Sequence, residues 1–276
     1  MELSLSLALI LALTPGTLSP IGAVLSTSAP LDLGYRQMYN LEFEEAHKTL
    51  RSYIEFHPDD PLGPTSEAAA YLFAEFDRLG VLQTELFVDD EKFKQRKRPA
   101  PDPALKEAFN KALSASDRLA DARLAISPND TNALYAQVLN LGLRADYLAL
   151  IEKRNLASLS YIKSAGLLAQ KLLAINPNYY DAYLALGFEN YMLGLNPAPV
   201  RWLLRLYGAE TDKDQGIKHL QLTAEKGHYL LPLARLLLAV AALREKDRAG
   251  ARKLLANLAE GFPRNQLYRR ELSRLK

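Results

Sequence analysis

Four times in this chain a small residue is followed, twelve positions later, by a proline. The pairs are Ala46 and Pro58, Ser116 and Pro128, Ala165 and Pro177, and Ala251 and Pro263. A spacing that recurs marks a repeated supersecondary unit. Two copies also share an apolar stripe. Ala165, Leu168, Ala169, Leu172 and Leu173 match Ala251, Leu254, Leu255, Leu258 and Ala259. The intervals i, i+3, i+4, i+7, i+8 describe one face of a helix. The proline ends that helix, because it cannot extend the hydrogen-bond ladder. The small residue lets a neighbouring helix come close.

Composition agrees with a helical chain. Leucine (55) and alanine (38) make about a third of the 276 residues, whereas valine and isoleucine together number 14. Buried parallel strands need Val/Ile-rich runs, and Leu and Ala favour helices. An all-α fold is expected, and the sheet-based scaffolds of many enzymes are disfavoured. The net charge of +2 gives no global attraction to nucleic acid. The absence of cysteine excludes disulfides, thiolate metal sites and thiol catalysis.

The segment after Pro177 sharpens the reading. Asn178 to Gly194, NYYDAYLALGFENYMLG, resembles the first helix of a tetratricopeptide repeat. Tyr183 stands at the first aromatic position and Leu186-Gly187 at the Leu-Gly pair. Asn190 departs at the next aromatic position, with Tyr191 beside it. The second helix of this unit is expected at Gly216 to Glu225, with Leu220 in the core. The last repeat covers roughly Pro232 to Asn265. The signature prolines lie 70, 49 and 86 residues apart, so a 34-residue period requires inserts around 143–158 and 195–215. The resemblance implies a right-handed superhelix of helix-turn-helix units, a tetratricopeptide-like α-solenoid with inserts, over residues 30–276 as one domain. Helices are expected at about 31–40, 42–56, 65–79, 104–126, 131–142, 145–154, 156–175, 180–194, 199–206, 214–226, 229–244, 247–260 and 265–274. Gly80, Gly194, Gly208, Gly227 and Gly261 mark expected helix ends.

Residues 1–29 read as a leader. Leu3 to Leu13 form an apolar run broken only by serines, and small residues follow. This pattern suits a secretory signal peptide and export to the periplasm or beyond, although the run lacks a preceding Lys or Arg. It is too short to span a bilayer. Segment 81–103 is an excursion: three acids, then Lys92, Lys94, Arg96, Lys97 and Arg98, then three prolines. The insert around 195–215 carries the single tryptophan; Trp202 and Leu206 would share a helical face as a lid over the array.

Catalytic and metal signatures are not found in the sequence. His47, His57, His219 and His228 form no HExxH or paired arrangement, and a zinc site needs three or four converging ligands. No cofactor is expected. Adjacent acids such as Glu44-Glu45 do not share a helix face. The resemblance instead implies a concave surface, lined by the first helix of each repeat. Its inward positions are Asn132, Tyr135 and Leu139; Asp181, Leu184, Phe188 and Tyr191; and Leu233, Leu236 and Val240. The Lys/Asn set that clamps a C-terminal carboxylate in some members is missing, with Leu184 and Phe188 in those places. The expectation is a non-enzymatic scaffold whose apolar, aromatic groove takes a protein or peptide partner. The alternatives are a periplasmic carrier of a small apolar ligand and, more remotely, an enzyme with an unrecognised site.

Overall fold

A computed structural model describes residues 29–81, 99–194 and 212–275. Within them the chain is all-α, with eleven α-helices and no strand. They are α1 (Pro30–Tyr39), α2 (Phe43–Phe56), α3 (Leu62–Leu79), α4 (Pro103–Ile126), α5 (Thr131–Asp146), α6 (Asn155–Ile175), α7 (Tyr183–Gly194), α8 (Lys213–Lys226), α9 (Leu231–Arg244), α10 (Arg248–Gly261) and α11 (Gln266–Arg274). Each helix packs mainly on its neighbours in sequence. Helix α3 also reaches α1 and α5.

The four small residues found by spacing are all buried: Ala46, Ser116, Ala165 and Ala251. The four prolines end their helices in the same turn. The residue before each proline donates its N–H to the carbonyl four positions back: His57 to Tyr53 (2.9 Å), Ser127 to Arg123 (2.7 Å), Asn176 to Leu172 (2.8 Å) and Phe262 to Leu258 (2.9 Å). Three residues later the N–H of Asp60, Asp130, Tyr179 and Asn265 returns to that pre-proline carbonyl, at 3.0–3.1 Å. Asp130 and Asn265 then cap the helix that follows, accepting from Asn132 (3.0 Å) and Leu267 (2.9 Å). Short polar side chains are favoured there because they satisfy orphan N–H groups. Asp102, Asp212 and Asp247 cap α4, α8 and α10 in the same way.

Three expectations need adjustment. The separate helices expected at 131–142 and 145–154 are one: α5 runs through Gly142 to Asp146 and continues into a single π-type turn, Tyr147–Ile151. Gly142 lies within the helix. The helix expected from 180 begins as a 3-10 turn, Tyr180–Ala182, before α7. The chain at 62–64 is already helical, three residues earlier than expected. Gly80 closes α3 in the left-handed conformation (φ 63°), whereas Gly227 after α8 is extended (φ −62°). The leader, the basic run 92–98, the helix at 199–206, Gly208, Trp202 and Leu206 lie outside the described residues.

Close approach is visible where α7 crosses α8. A Cβ on Gly187 would sit 2.9 Å from the Leu220 nitrogen and 3.0 Å from the Gly216 oxygen. One on Gly216 would meet the Tyr191 nitrogen at 2.5 Å. The two glycines let the helix backbones touch, with Leu220 buried beside them.

The core also carries polar groups. Thr65 (α3), Ser116 (α4) and Asn140 (α5) are fully buried and bonded to one another: Thr65 Oγ1 to Ser116 Oγ at 2.6 Å, Thr65 Oγ1 donating to Asn140 Oδ1 at 3.1 Å, and Asn140 Nδ2 donating to Ser116 Oγ at 2.9 Å. Asn140 continues to Asp117 (2.8 Å), which pairs with Arg144 (2.6 Å). Arg235 of α9 is likewise buried. Its Nε donates to the Ala224 carbonyl in the last turn of α8 (2.9 Å) and its Nη1 to Asn257 of α10. A cation there meets the negative end of the α8 dipole. Burial lowers its pKa to about 10.

Candidate interaction surface

The starts of several helices converge on one buried centre. Tyr135 (α5), Tyr179 before α7, Asp181, Tyr229 before α9 and Tyr35 (α1) meet there. The Tyr35 and Tyr229 rings stack at 4.5 Å, and those of Tyr135 and Tyr179 lie 4.8 Å apart. Asp181 accepts the N–H groups of His228 (2.8 Å), Tyr229 (2.9 Å) and Leu230 (3.1 Å). Helix α9 has no side-chain cap; Asp181 instead holds the turn that leads into it. Burial raises the Asp181 carboxyl against the pull of these three donors. Burial also holds the phenols of Tyr35, Tyr135 and Tyr229 well above the ordinary value, which keeps them neutral.

Helix α1 closes this centre. Leu31, Tyr35, Met38 and Tyr39 follow i, i+4, i+7, i+8, and none is more than 6 % exposed. Tyr39 donates its hydroxyl to the Tyr229 carbonyl (3.0 Å), and its ring lies 5.4 Å from Phe262 and 5.8 Å from Phe73. Asn265 Nδ2 donates to the Tyr39 carbonyl (2.7 Å), and the Arg264 N–H to Asn40 Oδ1 (3.1 Å). Asp32 pairs with His228 (2.7 Å) and Glu42 with Arg264. The first helix thus joins the last third of the chain through both apolar and polar contacts.

Charge follows the same division. Residues 29–81 hold ten acids and four bases, 99–194 nine of each, and 212–275 seven acids and thirteen bases. The acidic start therefore docks on the basic end.

The residues expected on a concave face are placed as follows. Asn132 is half-buried and donates to Asp60 (2.9 Å). Tyr135 is fully buried and its hydroxyl has no partner. Leu139 and Leu184 are half-buried against the core, Phe188 is half-buried, and Asp181 holds the 228–230 turn as described above. Tyr191 is buried with an unpartnered hydroxyl, and Leu236 and Val240 are buried. Leu233 and Leu236 face Met38, Tyr39 and Leu41 across a hollow of about 10 Å³, room for about one water molecule. Tyr135 and Asp181 are brought to the common centre, whereas Leu233 and Leu236 meet α1 at its far end. The residues that sequence reading missed are Asp32, Tyr35, Met38 and Tyr39. Their signal was present in the spacing of α1, but nothing local tells which distant element such a stripe covers.

The outer edge differs. Phe56, Ile126 and Ile175 each stand two residues before a signature proline and are 78 %, 88 % and 40 % exposed. Among the described residues no three His, Cys, Asp or Glu side chains gather as a metal site, and no helix is long and apolar enough to cross a membrane. Comparison of the chain with protein-family models, with curated proteins and with solved structures finds no match.

Proposed function

We propose that the chain is a non-catalytic helical-repeat scaffold of the tetratricopeptide type, whose concave face receives a helix from a protein or peptide partner. One observation carries this reading. The apolar stripe of the ten-residue helix α1 packs against residues expected to line that face or beside them, with Tyr35 against Tyr229 and Met38 and Tyr39 opposite Leu233 and Leu236. A surface that seats one amphipathic helix has the shape and apolar anchors to seat another. The four equivalent proline turns support the repeat assignment.

A photo-crosslinking residue at Leu233 tests it, with the same residue at exposed Ile126 as control. The expected result is a discrete partner adduct in native-host extract from position 233 alone. Equal adduct patterns from both positions would remove the concave face from consideration.

A further inference from the structure

Building on that reading, we infer that α1 is the protein's internal stand-in for its partner. The concave face takes an amphipathic helix of about three turns, which binds by displacing α1. The partner carries large apolar or aromatic side chains at i, i+4, i+7 and i+8 and a carboxylate near each end.

The occupant itself defines this pattern. Leu31, Tyr35, Met38 and Tyr39 are its buried anchors. Asp32 in its first turn meets His228, and Glu42 just past its last turn meets Arg264. The groups that receive these carboxylates, His228 and Arg264, are both basic side chains. A helix with basic ends would be repelled where an acidic one is drawn in.

Exchange is built into the connection. Helix α1 is joined to α2 by residues 40–42 alone, and Leu41 sits at φ 63°, a left-handed conformation that a leucine side chain disfavours. Release of α1 relieves that strain. A ten-residue helix also has little stability of its own, so packing on α2, α3 and the side chains at 228–268 holds α1 in place. A partner with the same pattern repeats the contacts of α1 to Phe73, Tyr229, Phe262 and the α9 and α11 side chains.

The test uses the full chain, the labelled peptide of residues 29–42, and a control peptide with Tyr35→Ser and Tyr39→Ser. The double variant Asn40→Cys, Arg264→Cys places the only two cysteines of the chain where α1 meets the last turn. The reduced form is expected to bind the labelled peptide at least tenfold more tightly than the oxidised form, and the control peptide not at all. Asp32→Asn, which weakens the hold on α1 without a disulfide, is expected to bind more tightly than the parent chain. Binding that survives oxidation, or no binding to the reduced protein, overturns the inference. So does a doubled mass without peptide, which would show copies of the chain exchanging α1 with each other. A crosslinked partner at Leu233 that lacks the pattern would overturn this inference and leave the scaffold reading standing.

Discussion

Asp32 and His228 are 196 positions apart in the chain and 2.7 Å apart in the fold. The Asp32 side chain is 7 % exposed and that of His228 is 47 %, so the acid is committed to the interior and the imidazole bridges it to solvent. His228→Gln is expected to cost about 1 kcal/mol, in the range of a half-exposed pair. It should also speed amide hydrogen exchange in α1 more than in α5. Equal protection of α1 in both proteins would mean that the pair does not fasten the ends.

Asp181→Ala removes the acceptor of three backbone N–H groups at once. A cost of about 2–3 kcal/mol in urea unfolding is expected, because one buried and two part-buried donors lose a charged acceptor. A cost below that of an ordinary exposed cap would show that the turn at 228–230 finds other acceptors.

Ser116 separates two readings of the repeat. By pattern alone alanine belongs there, as at positions 46, 165 and 251. The bonds from Thr65 and Asn140 say otherwise. Ser116→Ala is expected to destabilise by about 1–2 kcal/mol, the cost of stranding buried polar atoms. A neutral or stabilising result by chemical denaturation would show that the network is dispensable.

Two glycines should respond in opposite senses. Gly187→Ala forces a methyl group into the α8 backbone and is expected to cost about 1–3 kcal/mol. A Cβ on Gly142 meets nothing within 4 Å, so Gly142→Ala should gain about 1 kcal/mol from helix propensity alone. Melting temperatures of the two variants, compared with the parent, decide both.

Burial raises Asp146 from 3.8 to about 7. The folded protein therefore keeps this proton up to about pH 7, while the unfolded chain releases it near pH 4. Between those values the folded state binds more protons, so stability falls as pH rises. Asp146→Asn should raise the melting temperature at pH 7.5, change little at pH 4 and flatten the slope between. An unchanged slope would show that the carboxyl is solvated and ionised in the fold.

Much of the helical layout was legible in the sequence because it is local. Proline stops, capping acids and the Ala165 and Ala251 stripes act within a few residues, and the helices built on them fall where expected. The break expected between 142 and 145 is absent because an isolated glycine such as Gly142 weakens a helix without ending it; α5 runs through. The candidate surface was less legible. Tyr135 and Asp181 could be named from repeat position, but their depth depends on Tyr35, Tyr229 and the path of α1. Those contacts bridge nearly 200 positions, and periodicity carries no information over that distance. Ser116 fits the small-residue position, and its polar partners, which come from two other helices, leave no trace in the spacing.

The meeting of α1 with α9 to α11 changes how the protein comes apart. A row of helices that touch only their neighbours loses structure from its free ends inward, one unit at a time. Here the first helix also touches the turns at 228–229 and 262–265 and side chains of α9 and α11, so among the described residues the two ends shield each other. Removing either end strips a contact from the other, so release of α1 also loosens the turns at 228–229 and 262–265. Folding in turn must wait for a loop of nearly the whole chain to close.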